Sequence, residues 1–288
     1  MRVFVTGATG WVGSAVVDDL IAAGHQVKGL VRDGDKATIL ATKSAGVVRG
    51  TLDDLDIIYE AARTVDAVIH TAFNHDFSKF QESAAQDQRV IEALGSSLEG
   101  SDRPLVVTSG LSGIPCGGVE TDSPHPAVPR KSEVAAQSLA ERGVRVATVR
   151  LAPSVHGSGD HGFIPLVIRK ARETGVSAFI GEGLNLWSGV HRLDAARLYR
   201  LVLESGVTES VYHAVADESV PFKRIAEVIG THLGLPIVSR TEEHFGWFAT
   251  MVGANMTVSS ERTRELLDWR PTGPDLLSDL KQPSYYTG

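Results

Sequence analysis

Three glycines near the start of the chain have the spacing of a phosphate-binding turn. Gly7, Gly10 and Gly13 lie in "VFVTGATGWVGSAVVDDL", between a β-rich apolar run and a helical pattern. Glycine there permits a tight turn and lets the backbone approach a pyrophosphate, and the helix N-terminus offers free N–H donors to the anion. Because the triplet stands between a strand and a helix at the start of a βαβ series, the sequence predicts a bound dinucleotide.

Two basic residues indicate which dinucleotide binds. The second apolar run ends in "GLVRDGDK", which places Arg32 at its tip and Lys36 one turn later. A guanidinium binds a ribose 2′-phosphate in a bidentate manner, whereas an acidic residue there would accept hydrogen bonds from a 2′-hydroxyl. We therefore expect NADP(H). Two alternatives stay open: Asp33 could itself meet a ribose hydroxyl, and Arg32 could be a solvated surface charge.

Short apolar runs alternate with longer helical patterns through the first half of the chain. The runs are "RVFVT", "QVKGLV", "GVVRG", "DAVIHT", "PLVVTSG" and "VRVATVRL". This alternation is typical of βαβ units in a parallel sheet covered by helices on both faces. Further on, we predict a helix from Phe163 to Gly175, a strand over "VSAFIG", a turn-rich "EGLNLWSG" and a helix that opens at Asp194 as its N-cap.

The same patterns predict two domains. Residues 1–155 form a cofactor-binding domain, whose sheet is completed by later strands, and residues 156–288 form mainly a substrate-binding cap.

Composition narrows the class of protein. Hydrophobic residues make up 42% of the chain and charged residues 22%, which is typical of a soluble globular enzyme. A net charge of −7 disfavours nucleic acid and anionic membranes as partners. Cys116 is the only cysteine, so an internal disulfide and a thiolate metal cluster are excluded. The first residues are a strand rather than a signal sequence, and no run reaches the roughly 18 apolar residues of a membrane helix. We expect a cytoplasmic protein.

The glycine spacing, preceded by Thr6, resembles that of the short-chain dehydrogenase/reductase superfamily. Four further motifs resemble its extended and atypical branches, which include NAD(P)-dependent epimerase/dehydratase-like and dihydroflavonol-reductase-like proteins. They are "DAVIHTAF" and "VVTSG" at the fourth and fifth strands, "VRLAPSVHG" at the sixth, and "GVHRLDAARLYRL" at a later helix start. With the late helix "SSERTRELLDWRPT", the resemblance covers nearly the whole chain. It implies an α/β fold, a Rossmann-type doubly wound parallel sheet with a smaller C-terminal substrate-binding cap.

The resemblance also implies a set of cofactor contacts. Leu52 and Asp53 would contact the adenine, although Thr51 stands where the family often has Asp, and Thr71 and Ala72 would lie under the cofactor. The residues expected to bind the cofactor are Gly7, Thr9, Gly10, Trp11, Val12, Gly13, Arg32, Lys36, Leu52, Asp53, Thr71, Ala72, Thr108, Pro153 and Val155.

The chain departs from the family pattern at the proton donor. The family supplies the proton for carbonyl reduction from a Tyr assisted by a Lys four residues later and by a Ser, but this chain contains no Tyr-x-x-x-Lys. Glu133 matches the acidic residue that commonly follows the family's Lys by four positions. Counting back from it puts Pro129 in the Lys position and His125 in the Tyr position. Arg130 or Lys131 could then supply the positive charge. The expected catalytic residues are Ser109, Ser112, His125 and Lys131, although the family's Ser could align with Gly110 instead.

Other side chains in loops near the expected nicotinamide end are candidates for substrate contact. Each loop His could act as an acid, because an unperturbed His titrates near pH 6.5, or could be structural. No two of these histidines show the close helical spacing of a zinc site, so we expect no metal. The aromatic residues would give the pocket apolar walls, or belong to the core. The candidates are Phe73, His75, Phe77, His156, Trp187 and His191.

Together these features predict an NADP(H)-dependent oxidoreductase that reduces a small, hydrophobic or aromatic ketone. One alternative is an NADP(H)-binding redox sensor or regulator that has lost catalysis. A sugar-nucleotide epimerase or dehydratase is a third reading, disfavoured because those reactions also use the absent Tyr and Lys. By the resemblance we also expect a homodimer through helices near 78–98 and 130–142, where Ala84, Ala85, Ala135 and Ala136 would allow close approach.

Overall fold

The computed structural model describes residues 1–32 and 34–287, with the backbone alone for Phe77. The strands are β1 Arg2–Thr6, β2 Gln26–Val31, β3 Gly46–Arg49, β4 Ala67–His70, β5 Leu105–Gly110, β6 Val146–Leu151, β7 Ser154–His156, β8 Ser177–Ile180, β9 Leu186–His191, β10 Val211–Ala214, β11 Asp217–Pro221 and β12 Ile237–Arg240. The helices are α1 Trp11–Ala22, α2 Gly34–Thr42, α3 Leu55–Arg63, α4 Phe80–Ser96, α5 Ser132–Glu141, α6 Phe163–Thr174, α7 Arg192–Glu204, α8 Phe222–Leu233, α9 Ala249–Gly253, α10 Glu261–Leu267 and α11 Leu276–Asp279. Within the described part of the chain, no helix is both long and apolar enough to cross a membrane.

Seven parallel strands form the central sheet, in the order β10-β6-β5-β4-β1-β2-β3. The inner strands are apolar runs because both faces of the sheet are covered there, and β4 is buried at every residue, whereas the edge strand β3 is mostly exposed. The strand order reverses between β1 and β4, whose last residues, Thr6 and His70, are paired in register. Loops that leave neighbouring strands in opposite directions open a crevice at the carboxyl edge of the sheet, where ligands of such folds bind. The predicted fold class is confirmed.

Two helical layers cover the sheet. One buried cluster joins the sheet to α1, α2 and α7 through residues such as Val16, Leu40 and Tyr199. The other joins it to α3, α4 and α5 through residues such as Ile58 and Ile91. Because α7 packs against α1 and β10 closes the edge beside β6, parts of the chain after residue 155 belong to the sheet domain.

A second apolar core lies beyond the carboxyl edge of the sheet. It is built from α6, α8, α9 and α11 around the sheet β11-β9-β7 and the strand pair β12-β8. The predicted turn-rich "EGLNLWSG" is wrong in its second half, because Leu186–His191 pairs with β7 and β11 as strand β9. The predicted start of α7 is also wrong. The helix begins at Arg192, and Asp194 is a buried first-turn residue whose carboxylate accepts hydrogen bonds from the backbone of Thr272 (3.0 Å) and Gly273 (2.7 Å).

The alanines expected at a dimer interface lie mostly inside the protomer. Ala84, Ala135 and Ala136 are buried where α4 and α5 pack on each other and on the sheet, and Ala85 is exposed. Three of the four small residues therefore favour packing within one chain. The homodimer stays a prediction, which the mass in light scattering at micromolar concentration would test.

Candidate functional site

One large cavity, of about 1270 Å³, runs along the carboxyl edge of the central sheet and under the second core. It extends from the ends of β2 and β3, past the turn after β1 and the ends of β4 and β5, to the loop before α6 and the segment that contains α9. A cavity of this length has room for an extended cofactor at one end and a small molecule at the other.

The glycine turn after β1 is shaped for close approach of a ligand. Gly7 has φ +69°, and a Cβ there would lie 2.7 Å from the backbone N of Ala72. A Cβ on Gly13 would lie 2.1 Å from the carbonyl oxygen of Gly7, so no side chain fits at that position. Gly10 precedes α1 without a side-chain cap, and the first turn of the helix carries no acidic residue. Its free N–H groups, at the positive end of the helix dipole, fit a pyrophosphate.

Trp11 ties the glycine turn to the other side of the cavity. Its Nε1–H donates a 2.7 Å hydrogen bond to the carbonyl oxygen of Val155 on β7. The guanidinium of Arg192 lies 4.3 Å from the centre of the indole ring and donates a 2.7 Å bond to the Ser14 hydroxyl. The indole and the arginine at the start of α7 therefore hold the glycine turn in place against β7 on the opposite side of the cavity.

Basic residues lie at the end of the cavity near β2. Arg32 is exposed and Lys36 is half-buried, and both line the cavity beside Leu52 and Asp53. Asp53 accepts a 2.7 Å hydrogen bond from the side-chain amide of Gln86. Asp33, the residue that bears on the choice between the two dinucleotides, lies outside the described residues.

All fifteen residues expected to bind the cofactor line this cavity, including Thr9, Val12, Thr71, Thr108 and Pro153. Thr71 donates a 2.8 Å hydrogen bond to the carbonyl oxygen of Thr6, and this contact holds the end of β4 against the glycine turn. The structure thus brings the whole predicted set to one surface. Whether these residues bind the cofactor stays a prediction.

A buried polar network runs beneath the middle of the cavity. Thr6 Oγ1 lies 2.7 Å from His70 Nδ1, and His70 Nε2 donates a 3.0 Å hydrogen bond to Asp87 Oδ1. Ser132 donates a 2.5 Å bond to the other oxygen of Asp87 and accepts a 2.8 Å bond from Arg130 Nε. Burial alone would raise the pKa of Asp87, but its hydrogen bond with His70 and the nearby Arg130 leave that pKa lowered.

Arg130 carries the positive charge at the centre of the cavity. Its Nη2 donates a 3.0 Å hydrogen bond to the carbonyl oxygen of Thr108, and its guanidinium lies 4.3 Å from the centre of the Phe73 ring. Burial lowers the pKa of Arg130, and the nearby Asp87 acts against that shift. Arg130 lines the cavity and Lys131 does not, so the arginine is the cation that the structure places there.

The expected serines line the cavity and the expected His does not. Ser109 and Ser112 stand at and just after the end of β5, on the cavity wall. His125 is exposed in a proline-rich turn, where its ring nitrogen accepts a 3.2 Å bond from the backbone of Ala127. Glu133, which marks the register, pairs with the buried Arg150 at 2.7 Å and 3.0 Å. The helix register is therefore anchored, but the chain before it turns outwards and takes His125 away from the cavity.

His156 and His191 also lie away from the cavity, contrary to expectation. His156 is fully buried, with Nδ1 at 2.9 Å from Asp279 and Nε2 at 3.7 Å from Asp217. Burial by itself lowers the pKa of His156, but the carboxylates of Asp217 and Asp279 outweigh it, so the pKa is raised. The His191 ring packs edge-on at 5.6 Å from that of His156. Both histidines belong to the sheet β11-β9-β7, His156 on β7 and His191 on β9, and neither lines the cavity.

Different aromatic residues from those expected form much of the apolar wall. Trp187 is fully buried behind it, with its ring 5.1 Å from that of Phe222, because β9 faces the second core. Phe73 and His75 do line the cavity, with rings 5.2 Å apart, whereas the side chain of Phe77 lies outside the described part of the chain. The rest of the wall is formed by Phe163, Leu166, Trp247, Phe248, Met251 and Met256.

Two polar residues in the loop between β7 and α6 were missed. Asp160 and His161 line the cavity, and the His161 ring is 5.3 Å from that of Trp11. Burial raises the pKa of Asp160 to about 6, against the hydrogen bond from Gly162 and the nearby His161. The glycine-rich loop "GSGDHG" after β7 was the signal, since polar residues on loops that a rigid scaffold positions often bind ligands.

Similarity to known proteins covers nearly the whole chain. The sequence model of the family described as NAD dependent epimerase/dehydratase matches residues 3–215. The chain belongs to this family. The expected resemblance to the extended branch of the short-chain dehydrogenase/reductase superfamily is therefore confirmed.

Relatives and solved structures extend this finding. A Schizosaccharomyces pombe protein described as uncharacterized is 44% identical over 295 residues, which cover 99% of this chain and 100% of the relative. The 2-alkyl-3-oxoalkanoate reductase of Stenotrophomonas maltophilia is 26% identical over 266 residues, covering 83% of this chain and 78% of the reductase. The structure of UDP-glucose 4-epimerase from Thermotoga maritima with UDP-glucose matches with a TM-score of 0.78 at 19% identity, over 99% of this chain and 98% of the epimerase. That last likeness concerns the fold alone.

Proposed function

We propose that this chain is an NADP(H)-dependent oxidoreductase that reduces a small, apolar carbonyl compound. The observation that carries the proposal is one continuous cavity with a phosphate-binding turn and two basic residues at one end and an apolar, aromatic wall at the other. The family to which the chain belongs supplies the nicotinamide chemistry, which is transfer of a hydride to or from the substrate carbon.

The choice of NADP(H) rests on Arg32 and Lys36. Both line the cavity beyond the end of β2, where the ribose 2′-position of a dinucleotide lies in folds of this type. An exposed guanidinium has two N–H groups free to bind a phosphate, and an ammonium adds a second positive charge nearby. These residues favour a 2′-phosphate over a 2′-hydroxyl.

The choice of an apolar carbonyl compound rests on the other end of the cavity. The wall there contains Phe163, Leu166, Trp247, Phe248 and Met251, and the described lining residues between Asp160 and Met256 include neither Lys nor Arg. A sugar nucleotide brings a diphosphate that needs such cations, so an uncharged ketone fits this wall better. The 2-alkyl-3-oxoalkanoate reductase of Stenotrophomonas maltophilia, whose name describes reduction of an oxo group on an alkyl-substituted acid, shares the carbonyl and the apolar chain with this class but adds a carboxylate.

Arg130 is positioned to stabilise the negative charge that develops on the substrate oxygen. A fixed guanidinium beside Ser109 and Ser112 offers N–H donors to an oxygen that gains negative charge as the carbonyl is reduced. Thr108 and Ser132 hold two of its nitrogens, Nη2 and Nε, so little reorganisation is needed when a substrate enters. Arg130 would therefore take the place of the family's Lys as the central cation.

A non-catalytic NADP(H) sensor is a second candidate, and the missing Tyr-x-x-x-Lys favours it. A screen of NADPH oxidation against aliphatic and aromatic ketones separates the two functions. We expect turnover of at least one apolar ketone and none of UDP-sugars. If no ketone is reduced although NADPH binds, the sensor is the better description. If a UDP-sugar is epimerised, the substrate class proposed here is wrong.

A further inference from the structure

The cavity contains several ionisable side chains, but few of them have a proton to give near the apolar wall. Glu133 is held by Arg150 through both carboxylate oxygens. Arg130 keeps its proton at every relevant pH. His75 stands beside Arg130, and desolvation followed by that positive charge lowers its pKa. Arg32, Lys36 and Asp53 lie at the opposite, basic end. Asp160 and His161 remain.

Asp160 is held in a defined position at the apolar end. Its backbone N–H donates a 3.0 Å hydrogen bond to the carbonyl oxygen of Gly157, and its Oδ1 accepts a 2.7 Å bond from the backbone of Gly162. Its other oxygen, Oδ2, has no hydrogen-bond donor among the described residues. Phe163 and Leu166, on the helix that follows, continue the cavity wall. The carboxyl group therefore has one oxygen fixed by the loop and one left for a ligand.

The surroundings of Asp160 keep a proton on it at higher pH than usual. Its pKa of about 6 is set first by burial, while the Gly162 N–H, His161 and His156 favour the charged form. Asp279, on α11, faces it with a like charge, and Tyr285, which contacts Asp279 at 2.7 Å, lies on the same side. An acid that titrates close to the working pH is suited to general acid catalysis.

We propose, resting on the function proposed above, that Asp160 donates the proton that the substrate oxygen takes up during reduction. NADPH would supply the hydride, two electrons and one hydrogen, to the carbonyl carbon and would be oxidised to NADP⁺, while the C=O π electrons move to oxygen. That oxygen takes the proton as the O–H bond of the Asp160 carboxyl breaks, so the products are an alcohol and a carboxylate. Water entering through the cavity mouth restores the proton to Asp160. The loop after β7 would thus supply what the missing Tyr supplies elsewhere in the family.

The test compares Asp160→Asn with Ser158→Ala, an exposed position on the same loop that does not line the cavity, using a ketone that the wild type reduces. A positioned acid contributes about 10²- to 10⁴-fold in rate, so Asp160→Asn should lower kcat by that factor without changing the Kd for NADPH. Reduction by the wild type should slow as the pH rises through about 6, and this dependence should be lost in Asp160→Asn. Asp160→Glu should restore part of the rate, and Ser158→Ala should keep the wild-type rate and pH profile.

A second readout does not use turnover. Carboxyl ¹³C NMR of the cofactor-free protein should show one aspartate that titrates near pH 6 and is missing from Asp160→Asn. Retention of full kcat, or of the same pH profile, in Asp160→Asn would overturn the proposal while leaving the proposed function intact. Absence of turnover in the wild type itself would refute the proposed function, and the role of Asp160 as an acid with it.

Discussion

Ser132 donates a 2.5 Å hydrogen bond to Asp87, and this contact joins the first residue of α5 to the middle of α4 beneath the cavity. Both residues are buried, so neither group can turn to water if the other is removed. The same hydroxyl accepts a hydrogen bond from Arg130 Nε, so Ser132 links the buried carboxylate to the guanidinium that lines the cavity.

Replacing Ser132 with Ala should therefore destabilise the protein. The change leaves one oxygen of Asp87 and the Nε of Arg130 without a partner, which costs about 1–3 kcal/mol for each buried group. Urea unfolding measures the loss. Ser138→Ala, an exposed position on the same helix, should change the free energy of unfolding by less than about 0.5 kcal/mol. Equal losses in the free energy of unfolding for the two variants would show that the hydrogen bonds of Ser132 do not stabilise the protein.

Replacing Arg32 with Ala should weaken NADPH binding and leave NADH binding nearly unchanged, because only NADPH carries the 2′-phosphate. Loss of a charge-assisted hydrogen bond costs about 1.5–3 kcal/mol, roughly ten- to a hundred-fold in Kd. Fluorescence titration of both cofactors measures the difference. Arg49→Ala is the control, an exposed arginine on the neighbouring strand that does not line the cavity. Equal losses for NADPH and NADH would reject the assignment.

Replacing Trp247 with Ala should raise the KM for an apolar ketone. The indole lines the cavity although 68% of the residue is exposed, so a substrate can bury apolar surface against it. We expect about a tenfold rise in KM, which corresponds to about 1.4 kcal/mol of lost contact, with the Kd for NADPH unchanged. Leu184→Ala removes an equally exposed apolar side chain (65%) away from the cavity and should have no effect on KM. A KM that stays constant in Trp247→Ala would remove this residue from the substrate wall.

The His156–Asp279 pair should make stability depend on pH in both directions. The raised pKa of His156 means that its contribution is complete below the ordinary His value of about 6.5 and is lost as the pH rises through the folded-state pKa. The lowered pKa of Asp279 means that its contribution is present above the ordinary Asp value of about 3.9 and is lost as the pH falls through the folded-state pKa.

Thermal unfolding of the wild type and of Asp279→Asn, across pH 4 to 9, tests this pair. The difference in Tm should be largest between about pH 4 and 6.5, and should decrease on the alkaline side as His156 loses its proton. Ser278→Ala, next to Asp279 and away from the pair, should give a difference that varies little over that range. A Tm difference for Asp279→Asn that grows above pH 7 would contradict the assigned direction of the His156 shift.

Local patterns predicted the sheet, the glycine turn and the fifteen residues that line one half of the cavity. Strands buried on both faces are apolar runs bounded by turn residues, and their carboxyl ends must meet at one edge, so Thr71 and Pro153 could be placed without coordinates. Residues that depend on distant partners could not be placed. His156 was predicted to lie in a loop, because its partner Asp279 is 123 positions away in the sequence. Trp187 was predicted to lie in a turn, because the strands that pair with β9 are adjacent to it only in the folded chain.

The position of His125 was mispredicted for a different reason. Glu133 meets Arg150 of β6, but this contact says nothing about the path of the proline-rich segment before the helix. There the backbone N–H of His125 bonds the carbonyl oxygen of Gly113 at 2.9 Å, and the turn carries the ring outwards. No periodic pattern describes such a turn, so the direction of its side chains is not predictable from the sequence.

The contacts of Asp279 and Tyr285 also bear on how the protein is made. Tyr285 accepts a hydrogen bond from the backbone of Gly157 at 2.8 Å and donates one to Asp279, which in turn holds His156. The floor under the β7–α6 loop is thus completed by residues that leave the ribosome more than a hundred positions after that loop. During synthesis the central sheet can form first, with its glycine turn, while the apolar end of the cavity stays unfinished until residues 276–285 have emerged.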